Sequence, residues 1–446
     1  MSQVVSHPLV YHELFVPVQH DPQILLQNLL ELELFSSYML YQSEQEVRIA
    51  GNVLSSVCVS SEAVLVNCLG QTSSQPVGDP LKQVESALAA LPIEDWTAYG
   101  YIGFDVARFY YPYTKAIAQP LLYFLIPETE LYITAKGIRI RSVTSLTKII
   151  EALSRDRPLQ NYTATPPNVD ERDRESYQTQ VSKLIQAIQA GDLHKAILSR
   201  AVTVPGKMDV LGTYCLGSRN NHAARSYCFE FDNVSAVGFS PEILMRVDGD
   251  CVMTNPLAGT RPRATNREQD QQFYRELFTD AKEVKEHALS IWLAQAEIST
   301  VCLPDTVRVF DFMQVKQYRC VQHLSSRVSG QLKPEKTLWD ALKVLFPGIT
   351  VSGIDKHRAL KWIDCLEAAP RGLYAGGIGW INSQGSADLA IAIRSAYQYG
   401  DTISFNAGAG IVAESIPQNE YFESVNKMNT MLNHLVLKSP VRAQFG

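Results

Sequence analysis

Hydrophobic and polar positions follow two different periods along the chain, and this predicts a mixture of helices and strands. Apolar residues recur at helical spacing over residues 23–34, 81–91, 177–191, 266–299 and 335–345. They alternate with polar residues, or form runs rich in Val and Ile, over residues 46–60, 63–68, 121–126, 131–142, 194–204, 226–263, 307–332, 371–398 and 402–406. Turn residues separate these runs at short intervals, so we expect many strands to pair as hairpins, including residues 121–126 with 131–142.

One polar, proline-rich segment, residues 155–175, interrupts this pattern. Such a segment is typical of a linker between two domains or of a long surface loop within one domain. It divides the chain into residues 1–165, for which no separate function is predicted, and residues 166–446, which carry most of the candidate chemistry. The pattern alone leaves both interpretations open.

The last predicted helix follows a glycine turn within residues 407–432 and carries an unusual arrangement of charge. Glu420, Glu423 and Lys427 recur at i, i+3 and i+7, so they share one helical face. The apolar side is formed by Tyr421, Val425, Met428 and Leu432. Two carboxylates one turn apart repel each other unless a cation lies between them. The charged face is therefore either a solvated surface or part of a metal site.

A second predicted helix, residues 266–299, repeats the arrangement. Glu283, Glu286 and His287 lie on one of its faces, beside apolar neighbours. Two such helices in one chain predict a Mg²⁺ site that is shared with a bound ligand. Carboxylate oxygens are the ligands that Mg²⁺ prefers, and the sequence has no clustering of Cys and His that would favour zinc.

Composition and charge restrict the class of function. The 446 residues include 40 Lys and Arg against 46 Asp and Glu, and the net charge of −6 argues against a nucleic-acid partner. Eight cysteines without a C-x-x-C pair predict reduced thiols. The sequence contains no run of 18 apolar residues, so no membrane span is predicted. The first residues lack the pattern of a signal peptide. These observations predict a cytoplasmic protein without a membrane partner.

Several further residues are candidates for chemistry. Lys195 begins a predicted strand and is either solvated or, if it points into an apolar interior, a base with a lowered pKa. Arg394, on a face of small residues in a predicted strand, either binds an anion or forms a structural salt bridge. Gly408, Gly410 and Ala413 fit a dinucleotide fingerprint, but no second strand ending in an acidic residue follows, which excludes that fold. The glycine pair is instead predicted to let backbone N–H groups approach an anion at a helix start.

Together these motifs resemble those of a known enzyme family. The chain contains, in order, GDLHKAILSR, GFSPEIL, PLAGTRPR, KEVKEHA, VQHLSS, FPGITVSG, RGLYAGGIG, DLAIAIRSAYQ and AGAGIVAES with NEYFESVNK. They resemble the chorismate-utilising enzymes: anthranilate synthase component I, aminodeoxychorismate synthase, isochorismate synthase and salicylate synthase. The resemblance implies an α+β fold with a single large chorismate-binding domain of stacked β-sheets and helices packed outside. Residues 155–175 are then a loop within one domain.

The resemblance also implies a metal site. Glu286 and Glu423 match the Mg²⁺ ligands of the family. Glu283 and Glu420 match the supporting carboxylates that hold metal-bound water. The cofactor implied is therefore Mg²⁺, which would hold the ring carboxylate of chorismate.

Other matching positions surround the substrate. They are Gly259, Thr260 and Lys427 beside the ring carboxylate, Tyr374, Arg394 and the Gly408 amide of the Gly408–Gly410 pair on the enolpyruvyl carboxylate, and His323 beside the ring. Such contacts position a substrate and stabilise developing charge without covalent chemistry.

Three residues imply the branch of the family. Lys195 resembles the base of the members that add water at C2, and Glu242 resembles the acid that protonates the departing C4 hydroxyl. Burial shifts the pKa of both groups in the direction that these roles need. Thr350 resembles the members that also eliminate pyruvate. The combination implies a salicylate synthase, which converts chorismate through isochorismate to salicylate and pyruvate.

Other features leave the product open. GGIGWINSQGSADLAIAIR and RVSGQL are closer to anthranilate synthase, and Asn255 and Asp355 depart from the pattern of salicylate synthases. The alternatives are an isochorismate synthase without the lyase step, an anthranilate synthase component I, and a non-catalytic chorismate-binding protein. The family further implies a monomer, and salicylate in this family often serves siderophore biosynthesis.

Overall fold

The computed structural model describes residues 10–111, 114–115, 121–169, 171–221, 223–317 and 321–438. The strands are β1 (His12–Val16), β2 (Tyr38–Gln42), β3 (Val47–Val59), β4 (Ala63–Cys68), β5 (Gln71–Pro76), β6 (Thr97–Ile102), β7 (Leu122–Thr134), β8 (Gly137–Ser142), β9 (Lys195–Pro205), β10 (Arg225–Phe231), β11 (Val234–Ser240), β12 (Ile243–Asp248), β13 (Cys251–Asn255), β14 (Leu257–Pro262), β15 (Arg308–Gln317), β16 (Val321–Gln331), β17 (Gly353–Ile354), β18 (Gly377–Asn382), β19 (Ala387–Ile391), β20 (Ser395–Tyr399) and β21 (Thr402–Ile411).

The helices lie between and after these strands. They are α1 (Pro22–Glu31), α2 (Pro80–Ala89), α3 (Thr147–Ser154), α4 (Arg174–Gln189), α5 (Val210–Asn220), α6 (Arg267–Thr279), α7 (Ala281–Val301), α8 (Leu338–Leu345), α9 (Lys356–Leu366) and α10 (Pro417–Leu432). None of the helices in these described ranges is long and apolar enough to cross a membrane.

The strands form two antiparallel layers that share β3 and β7. One layer runs β1-β8-β7-β3-β2-β10-β11-β20-β21-β9-β17, and the other runs β5-β4-β3-β7-β6-β18-β19-β12-β13-β16, with β14 and β15 also paired to β16. β3 and β7 have 13 residues each, and their register shifts between Val53 and Ser55. Pro127, which has no N–H to donate, lies opposite Val53 at this shift. The long strands can therefore pass from one layer to the other.

The layers meet a second time at two breaks in the chain. β11 pairs with β20 in one layer, and β12 pairs with β19 in the other. The chain therefore changes layers at residues 241–242 and again at residues 392–394. The backbones of these two breaks lie close to the neighbouring strands, because Ile391 donates to the carbonyl of Glu242 and Phe239 donates to the carbonyl of Arg394.

Apolar side chains fill the space between the layers, and the helices cover the outer faces. Tyr101 of β6 stacks on Phe229 of β10 with ring centroids 5.9 Å apart, which joins the two layers directly. Burial of each such aromatic ring stabilises the folded state by about 1.5–3 kcal/mol. The arrangement confirms the expected α+β fold of stacked sheets with helices outside.

The polar segment after α3 is a surface loop. Asn28 of α1 donates to the carbonyl of Arg155, and Gln160 donates to the side chain of Gln27. Further along the loop, Thr165 donates to the carbonyl of Leu435 near the C-terminal end. The segment is thus bound to elements from both halves of the chain.

Two predicted boundaries are wrong. The hairpin turn expected before residue 131 lies at residues 135–136, because β7 continues to Thr134. The polar residue Glu130 is buried inside that strand, where Arg48 and Arg141 approach its carboxylate. The helix expected over residues 266–299 is divided into α6 and α7 at Asp280, whose side chain accepts the N–H of Glu283 and so caps α7.

Candidate active site

The floor of the candidate site is the long pair of β9 and β21. Gly408 lies opposite Ser199 and Gly410 lies opposite Ile197 in this antiparallel ladder. The glycine turn predicted here is therefore wrong, since both glycines are inside a strand and α10 begins only at Pro417. Because the two glycines have no side chains, other groups can lie close to the backbone of β21 at these positions. A Cβ on Gly410 would lie 2.9 Å from Cε of Lys195, and one on Gly408 would lie 2.8 Å from the carbonyl oxygen of Leu198.

Lys195 is the first residue of β9, and its side chain crosses the backbone of Gly410. Its Nζ donates to Oε2 of Glu286 on α7 at 2.8 Å, and only 12% of the side chain is exposed. The lysine is therefore held inside the site by a carboxylate, which excludes the alternative of a solvated strand end.

Glu242 lies at the break where the chain leaves β11 for β12, and it is 5% exposed. Its Oε1 accepts the hydroxyl of Thr350 at 2.6 Å and the N–H of Leu257 at 3.3 Å. Burial raises its pKa from 4.5 to about 7, although both hydrogen bonds and the charges of Lys195 and Lys427 oppose the rise. A carboxyl group with this pKa can hold a proton near neutral pH and donate it.

Arg394 and Tyr374 form one end of the site. Arg394 lies at the other break between layers, in a left-handed conformation with φ of 52°, so the prediction that it lies within a strand is wrong. Burial lowers its pKa from the usual value, while Glu423 and Tyr374 oppose the change. The hydroxyl of Tyr374, which is buried, accepts the N–H of Gly408, and burial raises its pKa to about 12. A guanidinium beside a neutral phenol is suited to bind a carboxylate.

His323 on β16 connects this region to β14. Its Nδ1 lies 3.0 Å from the carbonyl oxygen of Gly259, and because that oxygen only accepts, Nδ1 carries the hydrogen. Burial lowers the pKa of His323 to about 4, and Arg394 and Lys427 act in the same direction. The ring is therefore neutral at pH 7. Gly259 itself has φ of 66°, and the side chain of its neighbour Thr260 lies outside the described part of the structure.

The first carboxylate pair projects from the N-terminal part of α7. Arg261 donates to Oε1 of Glu283 at 3.1 Å and also to Asp280. Burial raises the pKa of Glu283, and the charge of Glu286 raises it further. This is the repulsion expected for two carboxylates one turn apart. A Cβ on Gly259 would lie 2.9 Å from Oε2 of Glu283, so the glycine leaves room for this carboxylate.

The second carboxylate pair projects from α10. Glu420 is 7% exposed, whereas 48% of the Glu423 side chain is exposed. Lys427 joins Glu423 to the floor of the site, because its Nζ lies 2.7 Å from Oε1 of Glu423 and 2.9 Å from the carbonyl oxygen of Gly408. Lys427 and Glu423 therefore lie on the same face of α10, as predicted.

The predicted metal ligands are carboxylates, and carboxylate oxygens are the ligands that Mg²⁺ prefers. Glu283, Glu286 and Glu423 each pair with a cationic side chain, so all three lie where positive charge is favoured. Among the residues that the structure describes, no group of three or more His, Cys, Asp or Glu side chains lies close enough together to hold a metal ion. The metal site therefore stays a prediction, although its oxygen donors fit Mg²⁺.

The electrostatic interactions place the separate parts in one region. Lys195 and Lys427 both act on the pKa of Glu242, and Arg394 and Lys427 both act on the pKa of His323. The site therefore combines a lysine and a carboxylic acid beside a neutral histidine. Such a combination can bind an anion, accept a proton on one side and donate a proton on the other.

One important group was absent from the candidates drawn from the sequence. Arg371, which is 1% exposed, donates to both oxygens of Glu367 and to the carbonyl oxygens of Val351 and Ile197, at 2.6–2.9 Å. It thereby joins the loop that carries Thr350 to the strand that begins at Lys195. The i, i+4 spacing of Glu367 and Arg371 was visible in the sequence, but their burial was not.

The sequence and the fold both match known proteins. The profile of the chorismate binding enzyme family matches residues 37–433. The chain is 32% identical over 433 residues to a salicylate synthase of Mycolicibacterium paratuberculosis, which covers 95% of this chain and 96% of that protein. It is 34% identical over 356 residues to an anthranilate synthase component 1 of Lactococcus lactis, which covers 75% of this chain and 78% of that protein.

A solved structure gives the same result for the fold. The crystal structure of anthranilate synthase component I from Streptococcus pneumoniae superposes with a TM-score of 0.75 at 28% identity. The superposition covers 87% of this chain and 92% of that one. The likeness therefore includes both halves of the chain and both sheet layers.

Proposed function

The chain belongs to the chorismate-binding enzyme family, and we propose that within this family it is a salicylate synthase. The reaction converts chorismate to isochorismate and then to salicylate and pyruvate. The observation that carries the proposal is that one site contains both a lysine and a carboxyl group. Lys195 lies at the start of β9, and the carboxyl group of Glu242 accepts the hydroxyl of Thr350. The salicylate synthase that matches 95% of the chain supports it.

Water addition requires a base and an acid in the same site. We assign the base to Lys195, whose amine must be neutral and free of its bond to Glu286 when it takes a proton from the water that attacks C2. We assign the acid to Glu242, whose pKa of about 7 leaves a large share of it protonated at neutral pH. It donates this proton to the hydroxyl that departs from C4.

The remaining polar groups orient the substrate. Arg394 and Tyr374 are suited to the enolpyruvyl carboxylate, and Lys427 is suited to the ring carboxylate. Mg²⁺, held by Glu286 and Glu423 with Glu283 and Glu420 in support, would neutralise the ring carboxylate. His323 is neutral and therefore adds no charge beside the ring.

The elimination of pyruvate makes a different demand on the protein. Isochorismate divides into salicylate and pyruvate without any net gain or loss of a proton, so this step needs orientation more than acid or base. Thr350 donates to Glu242 and so fixes the carboxyl group beside which the enolpyruvyl group would be placed. We propose that this placement brings the enolpyruvyl group close to the C2 hydrogen.

An anthranilate synthase component I is the second candidate, because relatives of that name match 75% of the chain. It would use ammonia in place of water. Lys195 argues against it, since an amine nucleophile does not need a lysine base in contact with the floor of the site.

A product assay separates these alternatives. Purified protein is incubated with chorismate and Mg²⁺, once without an amine donor and once with ammonium, and the products are identified by chromatography and mass spectrometry. Salicylate and pyruvate in equal amounts without ammonium are the expected result. Isochorismate alone at long times would leave an isochorismate synthase, anthranilate formed only with ammonium would reverse the assignment, and no consumption of chorismate would favour a binding protein.

A further inference from the structure

A small cavity lies between Glu242 and helices α7 and α8. Glu242, Thr350 and Thr254 line it, together with Ala294 and Glu297 of α7. Its volume of about 20 Å³ is sufficient for one water molecule. Since carboxylate and hydroxyl groups are present on its walls, such a water would have hydrogen-bond partners. The acid of the proposed reaction therefore shares a polar cavity with a second carboxylate.

Glu297 connects this cavity to the outside. About 20% of its side chain is exposed, and its Oε1 lies 2.5 Å from Nζ of Lys356 at the start of α9. Lys356 also donates to the carbonyl oxygen of Val344, so the pair is fixed between α7, α8 and α9. Burial raises the pKa of Glu297, although the charge of Lys356 opposes the rise. The pKa of Tyr111 is raised by burial and, after it, by the charge of Glu297. Neither residue has a part in the assignments made above.

The proposed reaction creates a need for such a connection. In each turnover Lys195 gains the proton of the attacking water, and Glu242 loses a proton to the departing hydroxyl. The enzyme returns to its starting state only when one proton leaves Lys195 and one reaches Glu242. Glu242 is 5% exposed, so direct contact with bulk water supplies little of this exchange.

We propose that Glu297 relays protons from solvent to Glu242 through the water-sized cavity between them. A proton from bulk water is taken up by the Glu297 carboxylate, passes to a water in the cavity, and from this water to Glu242, while Lys195 releases its proton on the substrate side. One proton enters and one leaves in each cycle, so no other reactant is needed. This inference rests on the proposed function and adds a residue that acts through Glu242.

The test compares Glu297→Gln with the matched variant Lys356→Met. Glu297→Gln keeps the size of the side chain but cannot relay a proton, whereas Lys356→Met breaks the same ion pair and keeps the carboxyl group. For Glu297→Gln we expect kcat for chorismate consumption to fall about tenfold with KM unchanged, and the solvent deuterium isotope effect on kcat to increase. Added imidazole or formate should restore part of kcat. Lys356→Met should keep the isotope effect of the unchanged protein.

Further measurements separate the relay from a structural role. Elimination of pyruvate from added isochorismate has no net proton demand, so Glu297→Gln should leave its rate unchanged. Ala294→Val narrows the cavity without a change of charge and should reproduce the isotope effect, also if Glu297→Gln does not fold.

The outcomes are distinguishable. If the unchanged protein makes no isochorismate or salicylate, the proposed function fails. If it turns over chorismate but Glu297→Gln keeps its kcat, or loses kcat without rescue and to the same extent as Lys356→Met, the relay is refuted and Glu297 is a structural ion-pair partner.

Discussion

Thr350→Val removes the hydroxyl that donates to Oε1 of Glu242 at 2.6 Å and leaves a side chain of nearly the same shape. The hydrogen bond stabilises the ionised form of Glu242, so its loss should raise the pKa of Glu242 above the value of about 7. A hydrogen bond to a charged group contributes about 1.5–3 kcal/mol, which corresponds to about one to two pH units. Since Glu242 acts in its protonated form, its limb of the pH–rate profile should move to higher pH.

The assay is the pH dependence of kcat/KM for chorismate consumption, between about pH 5 and pH 10. In the unchanged protein we expect the rate to fall as pH rises through about 7, when Glu242 loses its proton. In Thr350→Val the same fall should begin at least one unit higher. Thr254→Val is the matched control, because Thr254 lines the same cavity but its hydroxyl donates to the carbonyl oxygen of Leu244. A limb that stays in place in Thr350→Val, or moves equally in both variants, would refute the assignment of Glu242 as the acid.

Three further predictions follow from the same site. Lys195→Ala should abolish isochorismate formation while calorimetry still detects chorismate binding, and water addition that persists would exclude Lys195 as the base. Glu423→Gln removes a proposed ligand charge and should raise the Mg²⁺ concentration needed for half-maximal activity, whereas an unchanged titration would place the metal elsewhere. The raised pKa of Glu242 lowers stability as pH rises from 4.5 through about 7, so Glu242→Gln should increase the free energy of unfolding at pH 8, by up to about 3 kcal/mol, and not at pH 4. Urea denaturation at both pH values measures this difference.

The sequence predicted most of the elements, because their periods and breaks are strong. Long runs such as β9 and the helix around Val181 follow the pattern closely. The errors occur where tertiary contacts override the local pattern. Glu130 has the polarity of a turn residue, yet it lies in β7 because Arg48 and Arg141 compensate its charge. The apolar pattern predicts a continuous helix through Asp280, yet the side chain of Asp280 caps α7 and pairs with Arg261.

For the candidate site, too, the sequence indicates individual residues but not the tertiary contacts between them. Lys195, Glu242 and Thr350 were found from motifs, and the structure brings Glu242 and Thr350 into direct contact. The motifs did not reveal that Glu242 and Arg394 lie at the two breaks where the chain changes sheet layers. Such proximity depends on strand order, which a single sequence does not encode locally. The buried pair of Arg371 and Glu367 was missed because charged residues are buried rarely.

The addition of water at C2 and the salicylate product together form the central claim, and one labelling experiment tests both. Purified protein with Mg²⁺ converts chorismate in oxygen-18 water without an amine donor, and mass spectrometry determines the label in each product. We expect salicylate with one oxygen-18 atom in its hydroxyl group, formed together with an equal amount of pyruvate. Salicylate without the label, or consumption of chorismate without salicylate, would contradict it.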